Sequence, residues 1–486
     1  MKRKLGLNYL FAALLKGCST LRFFIFCFIY VPIFCQDKGA IIFKGVTVSD
    51  FHIPFSSIID TNTEAVVLAH IGNSDFEGSS KGTFVLVYNE FKRILLRKKN
   101  AFDEATVEIP VYTGKDEFTE VFENFEATTY NLEDGTIKET KLDKNSLFKE
   151  KYNKNYTIIK FTYPNIKEGS IIEYRYRIKS PFNSNDIRTW DFQERYPALW
   201  SEYKVTIPPV YIYNIIKQGD LPYDIDSSGK IKKSYTILET SGIASTTGLM
   251  YNISGNALVE KWAMKNVPAF KIEDHISSPK NYLCKIKFHL YAVHGSADTV
   301  LVEKSWDSTA AVLLRHPDFG KSFTEEKPWL LDDMLKFFSD TNELVKAKKI
   351  FEYIRDNFIC TDSDALYLSA PLKNIYAEKK GNVADLNILL TALLINQGYD
   401  AHPVLLSTID HGKTMEGHAI LDQYNYVITQ VEINGIMYLL DASIKKIGFG
   451  KLPEKCYNGI AWIIAKNAKP IELNTDLIIE SKTLFL

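Results

Sequence analysis

The chain has 486 residues, of which 46% are hydrophobic and 24% are charged, and its formal net charge at pH 7 is −1. This length allows two or three domains of ordinary size, and this composition excludes an intrinsically disordered chain. The near-neutral charge and the lack of a basic tract argue against nucleic-acid binding.

Residues 1–35 predict a secretory signal peptide. They contain five basic residues and no acidic ones, and residues 23–35 form an apolar run. This run is shorter than the about 20 apolar residues of a membrane-spanning helix. We therefore expect export to the periplasm or the cell surface, and no transmembrane segment in the mature chain. An uncleaved signal-anchor is the alternative, because the cleavage site lacks a small-x-small pattern.

The mature chain is mildly acidic and poor in cysteine. Without the leader, 53 basic residues face 59 acidic ones, a net charge of −6. Three cysteines are left, Cys284, Cys360 and Cys456. An odd number at wide spacing does not form a disulfide framework, and without a Cys-x-x-Cys pair no zinc site is expected. We expect no cofactor.

Residues 36–310 predict a mostly-β, sandwich-like domain. Apolar and polar residues alternate over residues 171–178, which is typical of a strand with one solvent-facing side. Further strand candidates are residues 82–88, 156–163, 203–207 and 284–293. Turns are expected at residues 133–135, 167–169 and 227–229, each of which ends in glycine.

Residues 325–470 predict an α+β domain, with 471–486 as a C-terminal tail. Apolar residues recur at helical spacing over 344–358, and residues 383–396 are apolar on several sides, which indicates a buried central helix. Gly398 is a natural helix stop. Strand candidates follow at residues 402–406, 424–432 and 436–441.

The start of the central helix is a position where a nucleophile is often found. Asn382 is a good N-cap and Asp385 completes a capping-box spacing, so Val383 falls in the first turn. A cysteine there would have its pKa lowered by the helix dipole. Thiol enzymes of the papain and transglutaminase type place their nucleophile there and add a histidine base and an Asp or Asn.

The hairpin after this helix predicts where the partners of such a nucleophile would lie. Asn434-Gly435 is a strong two-residue turn signal, which pairs Ile433 with Ile436. Counting outward from the turn places Tyr426 and Asp441 on one face of the sheet as diagonal neighbours.

Two known families resemble this chain. The motifs GNVADLNILLTALL, HPVLLSTIDHG, YNYVITQVEINGIMYLLDAS and FGKLPEKCYNG, between about residues 345 and 460, resemble the transglutaminase-like, papain-like core. Residues 128–203, with FTYPNIKEGSIIEYRYRIKSPF and ERYPALWSEYKVTIP, are similar to the domain of unknown function 3857. That domain often precedes transglutaminase-like cores in bacterial envelope proteins.

The resemblance implies that the catalytic triad is degenerate. The nucleophile position matches Val383, which has no nucleophilic atom, and the base position matches Tyr426, whose phenol is a poor base near neutral pH. Of the triad, Asp441 alone is retained. We therefore expect a non-catalytic pseudoenzyme that binds or scaffolds in the cell envelope. Its ligand would be peptide-like or glycan-like, or an envelope protein would be its partner.

The candidate residues of a ligand cleft are Asn382, Asp410, His411, Tyr426 and Asp441. His402, His411 and His418, with Asp410 and Glu416, have no standard zinc spacing, so they predict a polar loop rather than a metal site. The aromatic residues Trp190, Phe192, Tyr196, Trp200 and Tyr203 favour a sandwich core over a carbohydrate-stacking platform.

Two alternatives are open. The first is a divergent hydrolase or amide-transfer enzyme with a relocated nucleophile. Ser407, Thr408 and Ser443 lie near the cleft by sequence, but no base is paired with them there; Cys360 and Cys456 are expected to be buried, inert thiols. The second alternative is a structural module within an envelope or secretion assembly.

Overall fold

The protein is mostly β-sheet with few helices. The computed structural model describes residues 44–80, 83–113, 119–152, 156–181, 187–239, 249–271, 278–295, 298–302, 305–324, 342–415 and 419–474. The predicted signal peptide lies outside these residues. We refer to the described residues 44–302 as the N-terminal β region and to 305–474 as the C-terminal α+β region.

Several strands of the N-terminal β region are long because alternating residues bury one face over many positions. They are β1 (Ala65–Gly78), β2 (Phe84–Leu96), β3 (Thr106–Tyr112), β4 (Val121–Glu133), β5 (Thr136–Lys141), β6 (Phe148–Lys151), β7 (Tyr156–Thr162), β8 (Ile171–Pro181), β9 (Trp190–Asp191), β10 (Ala198–Ile207), β11 (Tyr211–Gln218), β12 (Ile225–Glu239), β13 (Leu249–Val267), β14 (Lys285–His294) and β15 (Thr299–Leu301).

These strands form three sheets. The largest has eight strands in the order β12-β13-β10-β1-β2-β8-β4-β5, antiparallel except for the parallel pair of β1 and β10. The second sheet joins β11, β14 and β15, with β9 beside β14, and the third joins β3, β7 and β6. Side chains from all three sheets share one hydrophobic core, in which Phe161 of β7 contacts Tyr174 of β8 and Phe288 of β14 contacts Tyr203 of β10.

One row of residues crosses the large sheet on its inner face: Tyr203, Gly72, Glu90 and Tyr176 face one another on β10, β1, β2 and β8. Gly72 is needed in this row because a Cβ there would lie 2.3 Å from the ring of Trp190. Trp190 instead stacks on Tyr203 at 4.9 Å between ring centroids.

The predicted turn at residues 227–229 is wrong. These residues are extended within β12, and Gly229 pairs with Val259 of β13. The exposed edge position of β12 tolerates the Ser-Ser-Gly sequence because the long pairing with β13 supplies the hydrogen bonds of the backbone. The turn at residues 133–135 does form, with Asp134 and Gly135 at positive φ between β4 and β5.

The helices of the C-terminal α+β region are α1 (Trp306–Arg315), α2 (Lys321–Thr324), α3 (Glu343–Asn357), α4 (Leu372–Glu378) and α5 (Val383–Asn396). Its strands are β16 (Ile359–Cys360), β17 (Lys380–Gly381), β18 (Asp400–Leu406), β19 (Tyr426–Ile433), β20 (Ile436–Leu440), β21 (Gly459–Ile463) and β22 (Lys469–Leu473).

The helix α5 is the centre of this region. Its residues from Val383 to Leu394 are all buried, because the helix packs on β18 and β19 of a five-stranded sheet and against α3 and α4. Gly398 follows the helix at φ +84°, as expected for a helix stop. The hairpin of β19 and β20 turns at Asn434 and Gly435, which have φ of 53° and 77°, and pairs Ile433 with Ile436.

Among the described residues, no helix combines the length and the apolar character that crossing a membrane requires.

Candidate functional site

The start of α5 has the geometry that the sequence predicts, but its backbone donors are used. The Asn382 side chain accepts from the backbone N–H of Asp385 at 2.7 Å, and the Asp385 carboxylate accepts from the backbone N–H of Asn382 at 2.7 Å. The N–H of Val383 donates to the carbonyl of Asp362 at 2.8 Å. The N–H groups of Val383 and Asp385 are thus bound by the protein's own acceptors and are not directed at an open site.

Tyr426 and Asp441 lie in contact across the hairpin. The Tyr426 hydroxyl donates to Asp441 Oδ2 at 2.8 Å, and it lies 3.0 Å from the Ser443 hydroxyl. Ser443 donates to Asp441 Oδ1 twice, from its hydroxyl at 2.6 Å and from its backbone N–H at 2.9 Å. This contact agrees with the face-sharing derived from the Asn434-Gly435 turn.

Asn387, one turn into α5, ties the helix to the same carboxylate. Its Nδ2 donates to Asp441 Oδ1 at 3.0 Å and to the carbonyl of Val427 at 2.9 Å, while its Oδ1 accepts from the backbone N–H of Ala442 at 2.9 Å. Asp441 therefore accepts four hydrogen bonds from described residues. We call Asn387, Tyr426, Asp441 and Ser443 the buried aspartate cluster.

The three positions that the resemblance equates with a triad are enclosed. Val383, Tyr426 and Asp441 are each 0% exposed. Val383 and Tyr426 belong to one apolar cluster with Leu406, Ile428, Leu452 and Cys456. The ammonium of Lys455 lies 4.3 Å from the centre of the Tyr426 ring, so a cation covers the phenol face.

Burial, and then the neighbouring carboxylate of Asp441, raise the pKa of Tyr426 far above its usual range. The phenol is therefore protonated at any physiological pH, which agrees with its role as a hydrogen-bond donor to Asp441. A protonated phenol cannot accept a proton as a general base. The chemistry available at this position is donation of a hydrogen bond.

The expectation that Cys360 is buried is wrong. Cys360 is partly exposed on the short strand β16 and pairs with Gly381, two residues before Val383. Its thiol donates to the carbonyl of Asp362 at 3.3 Å, and burial followed by the Asp441 charge raises its pKa. Cys456 is 1% exposed, and burial raises the pKa of its thiol strongly. Neither thiol has the depressed pKa of an activated nucleophile.

A base does lie beside Ser407, which the sequence did not indicate. His411 Nδ1 is 3.0 Å from the Ser407 hydroxyl across a single 3₁₀ turn. The hydroxyl proton, however, is directed at the carbonyl of Gly412, 2.6 Å away. In this arrangement the hydroxyl proton is engaged by Gly412, so His411 does not accept it.

Hydrogen bonds from the side chains of Asn458 and Asn425 hold the loop around Ser407 in place. Asn458 Nδ2 donates to the carbonyls of Ser407, Thr408 and Gly412 at 2.9–3.2 Å, and the Asn425 side chain bonds the backbone and the hydroxyl of Thr408. Both asparagines are buried. The Ser407–His411 contact is thus part of a rigid loop closure.

The five predicted cleft residues do not share one open surface. Asn382 and His411 are half-buried and Asp410 is exposed, whereas Tyr426 and Asp441 are enclosed. A ligand on the surface would meet the first three alone.

The predicted histidine loop is described in part. His402 pairs with Asp400 at 2.9 Å on β18, while His418 and Glu416 lie outside the described residues. Within the part of the chain that the structure describes, no group of three or more His, Cys, Asp or Glu residues could hold a metal ion. Among the predicted aromatic residues Trp190, Phe192, Tyr196 and Tyr203 are buried in the core, and Trp200 is partly exposed.

The sequence reasoning missed a second buried polar cluster, in the N-terminal β region. Glu90 accepts from the hydroxyls of Tyr88, Tyr174 and Tyr176, and from His70 Nε2 at 3.1 Å. The available signal was the pair of charged residues on the otherwise apolar inward face of β2, Glu90 and Lys92.

Comparisons with known proteins identify part of the chain. Residues 336–436 match the core of the transglutaminase-like superfamily. No curated protein matches the sequence. A crystal structure named as a "putative protease" from Parabacteroides distasonis is 14% identical, with a TM-score of 0.56, and the match covers 85% of this chain and 72% of that one. At this identity the likeness concerns the fold alone.

Two further matches carry no structural argument because their TM-scores are low. Leukotriene A4 hydrolase from Saccharomyces cerevisiae is 12% identical with a TM-score of 0.20, covering 63% of this chain and 39% of that one. The M1 zinc metallopeptidase from Deinococcus radiodurans is 7% identical with a TM-score of 0.16, covering 41% and 42%. The firm conclusion is that this chain contains a transglutaminase-like domain at residues 336–436.

Proposed function

We propose that this chain is an exported cell-envelope protein whose transglutaminase-like domain is non-catalytic and serves binding or scaffolding. The observation that carries the proposal is the enclosed, saturated state of positions 383, 426 and 441. Export is proposed from the basic and apolar leader of residues 1–35, and the two-domain division at 36–310 and 325–470 from the change in sequence pattern.

The chemistry of the three positions supports the loss of catalysis. Acyl transfer by this fold needs a nucleophile, a base and a group that orients the base. Val383 offers no reactive atom and Tyr426 is a hydrogen-bond donor to Asp441. Asp441 has its lone pairs occupied by Tyr426, Ser443 and Asn387. A substrate would find neither a nucleophile nor a free acceptor there.

The buried aspartate cluster has a structural role that explains why it persists without catalysis. Asn387 of α5 bonds Asp441 and the backbone of both Val427 and Ala442, so the cluster joins the central helix to the hairpin. Fully satisfied buried polar networks give rigidity and fix one packing arrangement. In this proposal the former reaction centre has become a structural clamp.

A specific observation favours a second candidate, a hydrolase that uses Ser407 with His411. The two side chains are 3.0 Å apart, the distance of a nucleophile and its base. The geometry otherwise disfavours it, because Ser407 is 3% exposed and its proton is directed at Gly412. The pKa of His411 is lowered by burial, so the ring is a weaker base than usual.

One assay separates the two candidates. The mature chain is incubated with a fluorescent primary amine and a glutamine peptide, and with an ester and a peptide substrate. The non-catalytic proposal expects no turnover above the buffer, and no difference between the wild type, Ser407→Ala and Cys360→Ala. Turnover that Ser407→Ala abolishes would overturn it in favour of the second candidate, and loss on Cys360→Ala would indicate a relocated thiol.

The binding role is tested with muropeptides, which carry a glycan and a peptide part, and with plain peptides by calorimetry. Asp410 is the exposed polar candidate on the loop that follows β18, so Asp410→Asn is expected to lower the affinity at least fivefold. Asp134→Asn, on the β4–β5 turn, is the matched control and should bind as the wild type does. Equal affinities in all three proteins would exclude this loop as the binding surface.

A further inference from the structure

A cavity of about 210 Å³ opens in the N-terminal β region, between the inner face of the eight-stranded sheet and the segment that enters β3. Its sheet side is formed by cross-strand neighbours of β2 and β8: Lys92 opposite Tyr174, and Ile94 opposite Ile172. Glu104 and residues 106–108 form its other side. Its volume is below the about 300 Å³ at which drug-sized ligand pockets begin, so its occupant must be small.

The charges behind the sheet side of the cavity compensate one another. Lys92 pairs with Glu194, and His70 lies between Glu194, 2.9 Å from Nδ1, and Glu90, 3.1 Å from Nε2. Because both ring nitrogens face carboxylate oxygens, both must carry protons, and the imidazole is an imidazolium. Two cations thus balance two anions. The four side chains together carry no net charge, so they require no further ion.

Glu104 is not paired with any member of this charge-balanced group. No hydrogen bond or ion pair from a described residue reaches its carboxylate, and the two cations whose charges act on it, Lys92 and Arg195, are engaged by Glu194 and Asp103. The other carboxylate at the cavity, Glu108, is paired with Lys160 at 2.6 Å. A half-buried carboxylate without a partner is costly in the folded state. The cavity therefore contains one carboxylate that no described residue pairs or hydrogen-bonds, although Lys92 lies near enough to act on it electrostatically.

The remaining walls define what else the occupant must be. Ile94, Val107 and Ile172 give the cavity an apolar lining. Tyr163 also lines it; this side chain is 3% exposed, and its hydroxyl has no hydrogen-bond partner among the described residues. A buried hydroxyl in this state leaves both a donor and an acceptor unused. The Glu104 carboxylate and the short apolar walls match an alkylammonium group, to which the Tyr163 oxygen can serve as a further acceptor.

We propose that this cavity is a binding site for a small primary amine in its ammonium form, held by Glu104 with its methylenes against Ile94, Val107 and Ile172. The same chemistry belongs to a free alkylamine and to the lysine side chain of a partner protein. A bare divalent ion is a poorer match, since no metal-holding group is found in the described residues. The proposal does not depend on the function of the transglutaminase-like domain.

The test titrates the mature chain with n-butylammonium and with n-butanol, which has a similar shape but no charge, by ligand-observed NMR. We expect saturable binding of n-butylammonium and at least tenfold weaker binding of n-butanol. Glu104→Gln should weaken n-butylammonium binding at least tenfold. Equal binding of the amine and the alcohol, or an unchanged affinity in Glu104→Gln, would overturn the proposal.

Asp103→Asn is the matched control, because it removes the same charge from the neighbouring residue, whose carboxylate is already paired with Arg195. The affinity of Asp103→Asn for n-butylammonium should stay within twofold of the wild type. An equal loss of affinity in Asp103→Asn and Glu104→Gln would show that the effect is long-range electrostatic attraction and not a direct contact with Glu104. A short lysine-containing peptide tests whether the bound ammonium belongs to a partner's lysine or to a free alkylamine. Tighter binding than n-butylammonium indicates a partner's lysine, weaker binding indicates a free amine, and failure of both ligands to bind refutes the site.

Discussion

The two buried polar clusters of this protein solve the same physical problem in different ways. In the N-terminal β region, Glu90 and Glu194 are ionised and are balanced by His70 and Lys92. In the buried aspartate cluster a single carboxylate, Asp441, is surrounded by the neutral donors Tyr426, Ser443 and Asn387. Charge balance and hydrogen bonds together stabilise the first cluster, whereas the carboxylate of the second is stabilised by neutral hydrogen-bond donors.

This difference teaches where chemistry can still occur. A cluster of neutral donors around one acceptor is complete, and it offers an incoming ligand nothing. A charge-balanced cluster can have a further charged residue beside it that none of its members pairs with. Glu104, at the cavity beside Lys92, is such a residue. In the region that resembles an enzyme, the buried aspartate cluster is thus closed, whereas the N-terminal β region presents Glu104, a carboxylate with no hydrogen-bond or ion-pair partner among the described residues.

The largest expected effect comes from Asp441→Ala. The substitution leaves the buried donors of Tyr426, Ser443 and Asn387 without their acceptor, so we expect destabilisation of about 3–5 kcal/mol. The readout is the urea-unfolding midpoint. Glu126→Ala is the control, since its exposed pair with Arg175 should contribute less than about 1 kcal/mol. Similar midpoints for both variants would contradict the clamp role.

Glu90→Gln tests the ionic cluster through pH. The hydrogen bonds from His70 and the tyrosines outweigh burial and lower the pKa of Glu90 from 4.5 to about 2. A lowered folded-state pKa gives stability that is present above pH 4.5 and lost as the pH falls towards 2. The variant should therefore be less stable by about 3 kcal/mol at pH 7, and this gap should close as the pH falls.

The measurement is thermal unfolding from pH 7 to pH 3, with Glu139→Gln, an exposed carboxylate of β5, as the control. His70 works in the opposite direction: burial alone would lower its pKa, but the Glu194 and Glu90 carboxylates raise it above 6.5. Its contribution is complete below pH 6.5 and is lost as the pH rises through the raised value. A constant gap between wild type and Glu90→Gln at every pH would refute the ionic account.

Tyr426→Phe gives a smaller effect and separates structure from catalysis. The loss of one hydrogen bond to Asp441 should cost about 2 kcal/mol, while Tyr282→Phe, at a 54% exposed position, should change the free energy of unfolding little. Both variants should behave alike in every turnover assay. A change of activity in Tyr426→Phe alone would show that the phenol takes part in chemistry.

Local signals predicted the architecture of the buried aspartate cluster. The Asn382 and Asp385 cap fixed the start of α5, and Asn434-Gly435 fixed the register that brings Tyr426 to Asp441. Both signals act within a few residues, so they can be recognised without knowledge of the tertiary structure. The sequence could not show that the positions are enclosed, because their cover is formed by distant segments.

Most of the remaining errors arise from contacts between residues that are far apart in the sequence. The turn expected at residues 227–229 gave way to pairing with β13 about 30 residues later. Lys92 and Glu194 are 102 residues apart in the sequence, and Glu194 also contacts His70. Their charges therefore look unrelated in the sequence. The contact between Ser407 and His411 was missed although it is local, because a 3₁₀ turn rather than a regular element brings the two side chains together.

The most direct test of the non-catalytic account is residue-resolved alkylation of the folded mature chain near neutral pH, read by mass spectrometry. Burial raises the pKa of Cys284, Cys360 and Cys456 alike. We predict that all three react more slowly than free cysteine, and that the partly exposed Cys360 reacts fastest of them. A thiol that reacts faster than free cysteine, with an apparent pKa below the usual 8.5 or so, would contradict the account.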